Sequence, residues 1–251
     1  GDVYKRQGQW RINGAKEFIT NSGTDITSLV TVTAVTGTVE GRTGHDGRPA
    51  KEISTILVPA GTEGFSVAKA YDRVGWNSSD THALHFSDVR VPEENLLGAR
   101  GRGFAHFLEI LDEGRIAIAA LATGAAQGCV DESVAYAKQR TSFGQKIGQF
   151  QAVSFKIARM QARAHAARLA YYEAAQKMLA GKPFKTEAAM AKLIAGEAAM
   201  DNARDATQVF GGYGFMNETL VARHYRDSKI LEVGEGTTEV QLMLIARELG
   251  L

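Results

Sequence analysis

Residues 150–171 read FQAVSFKIARMQARAHAARLAY, and this stretch decides the fold of the second half of the chain. Apolar or small side chains recur in it at alternating steps of three and four residues, at Phe150, Val153, Ile157, Met160, Ala164, Ala167 and Tyr171. Because an α-helix turns once every 3.6 residues, this spacing places all of them on one helix face. The stretch therefore predicts a long helix with one buried side.

Helical patterns also occur on both sides of this stretch. Phe104, Phe107, Leu108 and Leu111 follow the same spacing and predict a second core-facing helix. Two further helices are expected roughly over residues 186–210 and 238–248. The chain has 29 alanines after residue 100 and 8 before it, and alanine-rich faces let helices pack closely. We therefore expect an antiparallel four-helix bundle over residues 101–251.

The first hundred residues have a different composition. They contain 11 of the threonines and three of the four prolines, and their runs with β character lie at residues 28–35, 53–58 and 83–86, separated by turn residues. Residues 37–49, rich in Gly, Thr and charge, are interpreted as a hairpin loop. The expected fold class is thus α+β, with a small antiparallel β-barrel or sheet domain over residues 1–100 and a boundary within residues 92–103.

Overall composition excludes some classes of function. The 251 residues carry a formal net charge of +1, which gives no electrostatic case for binding nucleic acid or an anionic membrane. No apolar run approaches membrane-spanning length. The single Cys129 lies among small and apolar residues, which fits a buried thiol in a reducing compartment better than a disulfide or a metal site. We interpret the protein as cytoplasmic and expect no metal.

The run Glu235-Gly236-Thr237-Thr238-Glu239 is the first candidate for chemistry. A glycine lets the backbone approach a ligand, two hydroxyls can start a helix, and Gln241 can close a capping box on Thr238. This arrangement suits a positioned carboxylate base. A solvated glutamate in a helix-capping turn is an equally ordinary interpretation of the segment taken alone.

Five segments occur in a fixed order along the chain: residues 18–21 (FITN), 111–115 (LDEGR), 140–144 (RTSFG) with Gln151, 208–214 (QVFGGYG) and 235–237 (EGT). Their order and spacing resemble the acyl-CoA dehydrogenase family, from about Gly8 to the end of the chain. The resemblance implies FAD as cofactor and dehydrogenation of an acyl-CoA substrate to trans-2-enoyl-CoA. It also implies an electron-transferring flavoprotein as electron acceptor, and a homo-oligomer, a dimer of dimers, in which two subunits share each FAD.

The resemblance assigns the substrate side of the site. It makes Glu235 the base that abstracts the α-proton, while hydride passes to flavin N5. Some branched-chain members carry this glutamate at the position of Gly114, an option that is absent here. The implied substrate contacts are Asp112, Glu113, Gly114, Arg115 and Gly236. Without the resemblance, Asp112 and Arg115 form an ordinary i, i+3 ion pair.

The resemblance also assigns the cofactor contacts. They are Phe18, Ile19, Thr20, Arg140, Phe143, Gln151, Gln208, Val209, Phe210, Gly211, Gly212, Thr237, Thr238 and Glu239. Thr20 is implied near flavin N5, and Arg140, with Gln151 and residues 208–212, at the FAD of a neighbouring subunit. The plainer interpretations remain open: a strand edge at residues 18–20, a solvated arginine in a turn, and a helix C-cap at Gly211–Gly212.

Family members normally begin with a helical domain ahead of the β domain, so we expect this chain to be truncated. Residues 1–7 do not resemble the expected sequence and suggest a foreign or misread junction. Two alternative functions stay open. One is an oxygen-using relative similar to acyl-CoA oxidases. The other is a non-catalytic helical relative similar to DNA-binding alkylation-response proteins, against which the charge of +1 argues.

Overall fold

A computed structural model describes residues 2–6, 8–44 and 46–251, with side chains described from residue 8 onward, so that Gly1, Gln7 and His45 lie outside the description. The chain divides into two compact units. The first comprises Gly1–Arg73 and Asn77–Ile110, and the second Val74–Trp76 and Leu111–Leu251. The first unit therefore runs past the predicted boundary at residue 100.

The first unit contains a seven-stranded sheet in the order β5-β6-β2-β1-β3-β4-β7. Its strands are β1 Asp2–Arg6, β2 Gln9–Thr20, β3 Leu29–Thr43, β4 Pro49–Pro59, β5 Phe65–Val67, β6 Thr81–Pro92 and β7 Leu96–Leu97, with a 3₁₀ turn at Glu93–Asn95. β1 meets β3 in parallel, and the other pairings are antiparallel. The predicted antiparallel sheet is confirmed. Residues 2–6, within the suspected junction, pair in regular register with β2, whereas Gly1 and Gln7 lie outside the described residues.

Alternation along the strands builds the core of this sheet. In β3, Val30, Val32 and Ala34 are buried while the threonines between them face outward or are partly covered. They join an apolar cluster with Trp10, Ile12, Ile56, Val58, Leu84, Phe86, Val89 and Val91. The predicted loop at residues 37–49 was wrong in extent: β3 continues to Thr43 and β4 begins at Pro49, and the Gly44 N–H donates to the carbonyl oxygen of Arg48 between them. Thr and Val favour extended backbone, and this outweighed the glycines on which the loop prediction depended.

The second unit is helical. Its helices are α1 Gly103–Gln139, which begins in the first unit, α2 Gln151–Leu179, α3 Lys185–Phe210, α4 Leu220–Ser228, α5 Ile230–Val233 and α6 Thr238–Glu248. A small hairpin, β8 Thr141–Ser142 and β9 Gln145–Lys146, is followed by 3₁₀ turns at Ile147–Gln149 and, after α3, Gly211–Phe215. Ion pairs Lys177–Glu187 and Arg163–Asp205 show that α2 and α3 run antiparallel. The predicted helical region is confirmed.

Alanine fills the core between α1, α2 and α3. The buried cluster contains Ile116, Ala119, Ala122, Ala126, Ala164, Ala167, Ala174, Ala188, Ala191, Ala195, Ala198, Ala199 and Leu231. The face predicted from residues 150–171 is confirmed, since Met160, Ala164 and Ala167 are fully buried. The other predicted core face was wrong: Phe104 is 52 % exposed, and Phe107 and Leu108 are also exposed. The backbone at Gly103 packs on Ser54 of β4, but the described residues leave the side chains of Phe104, Phe107 and Leu108 largely uncovered.

Asn202 and Cys129 are both buried inside the bundle. Asn202 of α3 donates its amide hydrogens to the carbonyl oxygens of Ala126 in α1 (3.1 Å) and Met160 in α2 (2.9 Å), so it ties three helices together. Cys129 is a buried thiol, as the sequence predicts, and burial raises its pKa to about 12. None of the described helices combines the length and the apolar character needed to cross a membrane.

Candidate active site

The loop between α5 and α6 holds Glu235 in a strained backbone conformation. Glu235 has φ +54° and Gly236 has φ +94°. A positive φ suits glycine but brings the Cβ of other residues close to the backbone, so it is uncommon in them. Phe18 and Phe143, two more of the predicted site residues, share this feature. Such strain concentrates at functional sites, where surrounding contacts hold it in place.

Contacts from α6 differ from the predicted capping box. The N-cap is Thr237 rather than Thr238, which places Gln241 one position too far along the helix to cap it. The buried Gln241 side chain instead turns back and donates from Nε2 to the carbonyl oxygens of Gly236 (2.9 Å) and Glu235 (3.4 Å). Gln241 therefore holds the loop itself. Glu239 accepts hydrogen bonds from its own backbone amide and from the Thr237 hydroxyl, and these bonds lower the pKa of its carboxyl group.

Glu235 faces α1 at Gly114. A Cβ added at Gly114 would lie 2.8 Å from Oε2 of Glu235 and 3.3 Å from its Cδ, so the missing side chain makes room for the carboxylate. The Glu235 side chain itself is exposed. The structure thus brings together two residues that are far apart in sequence and that the family resemblance had placed in one site.

The predicted ion pair is present in the helical turn that contains Gly114. Arg115 is buried and pairs with the partly buried Asp112, while Glu113 is exposed. The Nε atom of Arg115 is also buried, and it has no hydrogen-bond partner among the described residues. A buried donor without a partner is unfavourable, so this guanidinium retains capacity for a further acceptor.

Lys192 of α3 is a site residue that sequence reasoning missed. It is 1 % exposed, and its Nζ donates to the carbonyl oxygens of Glu232 (2.8 Å) and Gly236 (2.7 Å), on either side of Glu235. Burial lowers the pKa of Lys192 to about 8, and the nearby Arg115 charge also lowers it. The neighbouring carboxylates of Glu232, Glu235 and Glu239 act in the opposite direction. The signal was a lone lysine inside the alanine-rich run of residues 188–199.

The predicted cofactor segment at the end of α3 is an open helix terminus. Gly211 has φ +59°, and its N–H donates to the carbonyl oxygen of Gln208, so it caps the helix. A Cβ at Gly211 or Gly212 would meet no atom within 4 Å, which leaves this backbone accessible to a ligand. Val209 is buried instead, and Phe210 stacks on Tyr136 of α1 at 4.1 Å, so these two side chains act in packing.

The stacked Tyr136 brings a second predicted segment to the same end of the bundle, because Arg140 follows one turn later. Arg140 leads into the β8–β9 hairpin, whose turn residues Phe143 and Gly144 have φ +49° and +83°. Phe143 is 94 % exposed. The side chains of Arg140, Gln151 and Gln208 are exposed and make no hydrogen bond within the described part of the chain.

These groups fit the cofactor that the sequence implies. A guanidinium can donate paired hydrogen bonds to a pyrophosphate, and two amide side chains with an open glycine backbone can bind the polar edges of a nucleotide. In the first unit, β2 ends at Thr20, which is exposed and pairs with Thr81. Phe18 is also exposed and lies against Tyr71 at 5.2 Å between ring centroids. Both the strand-edge interpretation and a ligand-facing role are compatible with this geometry.

Comparison with known proteins gives consistent results over the whole chain. A family model described as acyl-CoA dehydrogenase, C-terminal domain, matches residues 101–250, and one described as acyl-CoA dehydrogenase, middle domain, matches residues 2–89. A short-chain specific acyl-CoA dehydrogenase of Megasphaera elsdenii is 44 % identical over 237 residues, which cover 94 % of this chain and 59 % of that protein.

Solved structures agree with this relationship. The butyryl-CoA dehydrogenase of Megasphaera elsdenii superposes with a TM-score of 0.90 at 42 % identity, covering 99 % of this chain and 63 % of the other. A chain from a structure described as the electron transferring flavoprotein of Acidaminococcus fermentans gives a TM-score of 0.89 at 38 % identity, covering 98 % and 62 %. The chain thus spans about three fifths of the length of the relatives it matches.

Proposed function

The chain belongs to the acyl-CoA dehydrogenase family, and on this premise we propose that it forms part of an FAD-dependent enzyme that removes the α- and β-hydrogens of an acyl-CoA thioester. The product is a trans-2-enoyl-CoA. The observation that supports this most directly is the Glu235 carboxylate lying against Gly114 on a loop fixed by Lys192 and Gln241. The names of the similar proteins support a short, straight acyl chain.

Glu235 is the base in this proposal. The α-hydrogen of a thioester is only weakly acidic, so its removal needs a carboxylate held against the α-carbon and a donor on the developing enolate oxygen. The exposed carboxylate of Glu235 can receive this proton, and its own backbone N–H is the proposed donor to the oxygen. Bound FAD would supply the hydride acceptor.

Residues around Glu235 would orient the thioester. Gly114 leaves space beside the carboxylate, and Gly236, whose φ of +94° suits glycine, would let the loop backbone lie close to the thioester. The Asp112–Arg115 pair and Glu113 would form the wall along α1, where the unused hydrogen-bonding capacity of Arg115 is available to the substrate or to ordered water. Their role is to position the acyl group rather than to exchange protons.

The cofactor contacts fall into three groups. Phe18, Ile19 and Thr20 would lie against the isoalloxazine ring, and Thr237, Thr238 and Glu239 near the ribityl and diphosphate part. Arg140, Phe143 and Gln151, with residues 208–212, would contact the FAD of a neighbouring subunit. The exposed side chains of Arg140, Gln151 and Gln208, with their unused donors, support this assignment, which requires a homo-oligomer, proposed to be a dimer of dimers. The proposed electron acceptor is an electron-transferring flavoprotein.

Glu235→Gln in the flavin-loaded holoenzyme tests the assignment of the base. The substitution keeps size and hydrogen bonding but removes the charge, so butyryl-CoA should still bind and perturb the flavin spectrum. Anaerobic flavin bleaching measured by rapid mixing should slow by about 10²- to 10⁴-fold, the usual contribution of a positioned base.

Glu232→Gln is the matched control, because its carboxylate pairs with Lys229 and belongs to the same segment. It should bleach at close to the parent rate. Bleaching of Glu235→Gln at the parent rate would show that another residue is the base. Rapid reoxidation of the reduced holoenzyme by oxygen, in place of electron-transferring flavoprotein, would favour the oxidase alternative.

A further inference from the structure

We propose that Lys192 is the positioning residue for Glu235: its side chain fixes both ends of residues 232–236 and so holds the carboxylate in place beside Gly114. This inference rests on the proposed function of Glu235 as the base. It concerns how the loop is held, and Lys192 itself takes no part in proton transfer.

The two hydrogen bonds of Lys192 bracket the base. Nζ lies 2.8 Å from the carbonyl oxygen of Glu232 and 2.7 Å from that of Gly236. The first oxygen belongs to the last turn of α5, where helical carbonyls lack partners within the helix. The second lies immediately after Glu235. One side chain therefore fixes the loop on both sides of the residue whose position matters.

The surface of α3 is shaped to receive this loop. Gly196, one helical turn after Lys192, is buried, and a Cβ there would lie 2.8 Å from the carbonyl oxygen of Leu231. The backbone of α5 thus lies directly on α3 at Gly196, while Lys192 reaches the residues that follow. This close contact fixes the distance that the lysine has to span.

The loop needs such anchors because its conformation is unfavourable in isolation. Glu235 adopts φ +54°, a region that side chains with a Cβ avoid. Gln241 provides one anchor, from α6, through the Gly236 and Glu235 carbonyl oxygens. Within the described residues the Gln241 side chain makes no other hydrogen bond, whereas Lys192 also binds the Glu232 carbonyl and joins the loop to α3.

Burial of the ammonium carries a cost that packing alone does not explain. Lys192 is fully buried, and burial lowers its pKa to about 8 although the Glu232 and Glu235 carboxylates act in the opposite direction. Methionine has a similar length and would fill the space without a charge. The ammonium supplies what methionine lacks, namely donors for two carbonyl oxygens that flank the base.

Lys192→Met in the flavin-loaded holoenzyme tests this inference, with Lys229→Met as the control. Lys229 lies in the same segment and pairs with the Glu232 carboxylate, but it does not bind Gly236. For Lys192→Met we expect anaerobic bleaching by saturating butyryl-CoA to slow by about 10- to 100-fold, the usual effect of a misplaced catalytic group. Binding of crotonyl-CoA should stay within about threefold, and the midpoint of thermal unfolding should stay close to the parent's, because relief of the ammonium's desolvation offsets the two lost hydrogen bonds.

Amide hydrogen exchange gives a readout that does not depend on turnover. Exchange in residues 233–238 should accelerate in Lys192→Met and stay unchanged in Lys229→Met, whereas residues 160–175 of α2 should exchange as in the parent. The inference is overturned if bleaching and loop exchange are both unchanged, or if the rate falls only together with flavin content and thermal stability. Should Lys192→Met not fold, Lys192→Gln, which keeps the helix but shortens the reach, is judged by the same criteria.

The outcomes for Lys192 and Glu235 are separable. Normal bleaching by Glu235→Gln would refute the proposed base, while faster loop exchange in Lys192→Met would still show that the lysine holds the loop. Slow bleaching by Glu235→Gln with an unchanged Lys192→Met variant would refute the positioning role alone.

Discussion

Gly114→Ala should separate the stability of α1 from the activity of the site. The new Cβ would lie 2.8 Å from Oε2 of Glu235, whereas ordinary contacts of this kind lie at 3.4–4 Å. The carboxylate must therefore move by roughly 1 Å, and a misplacement of that size costs about 100-fold in rate. We expect anaerobic bleaching of the holoenzyme by butyryl-CoA to slow by about 10- to 100-fold.

Stability should change in the opposite direction. Alanine is favoured over glycine in a helix interior by about 1 kcal/mol. Glu235 is exposed and its carboxylate is the flexible end of the side chain, so it can move aside at little cost to the folded state. The free energy of unfolding of Gly114→Ala should therefore be unchanged or higher by up to about 1 kcal/mol.

Gly124→Ala provides the matched control. Gly124 lies on the same helix, and a Cβ there meets no atom within 4 Å. It should gain similar stability and keep the parent bleaching rate. If the bleaching rate of Gly114→Ala is within twofold of the parent rate, or if both variants slow by the same factor, the argument that Gly114 makes room for the base is refuted.

Two further predictions concern the core of the bundle. The pKa of Lys192 falls from its ordinary 10.5 to about 8 on folding, so between these pH values the unfolded chain holds a proton that the folded protein has released. The free energy of unfolding should therefore rise by about 3 kcal/mol between these pH values. Chemical denaturation should show that Lys192→Met removes this rise, and an equal dependence on pH in the parent and the variant would contradict the prediction. Asn202→Ala leaves the carbonyl oxygens of Ala126 and Met160 without their donor and should lower the free energy of unfolding by about 2–3 kcal/mol, against little change for the exposed Asn217→Ala; equal effects of the two would contradict this.

Local patterns predicted the elements better than they predicted their surroundings. The spacing in residues 150–171 identified α2 and its buried face, because a helix face is fixed by nearest neighbours in sequence. The same spacing at Phe104 and Phe107 correctly indicated a helix, but those side chains are exposed. Periodicity shows which side chains share a face, whereas burial depends on what packs against that face.

The candidate site shows the same limit. Glu235 and Gly236 could be identified from a short motif and the family resemblance, but the contact with Gly114 depends on α1, which lies more than a hundred residues earlier. Lys192 was missed because a single lysine in a helix usually faces solvent, and its burial arises from a loop forty residues later. Gln241 was singled out for its spacing, yet its actual partners are carbonyl oxygens of the loop.

An alanine core responds to mutation in one direction only. Where a core of leucine or isoleucine can lose methylene groups and partly collapse, Ala119, Ala122 and Ala195 have almost nothing to lose, so nearly every substitution there adds volume. Added volume forces helices apart instead of leaving a void. Since Gly114 sits on α1 and Lys192 on α3, a larger residue between these helices would act as a wedge that changes the width of the site from a distance. Substitutions in the interior of this bundle would then change the distance between the helices that position Glu235, and so the activity of the site.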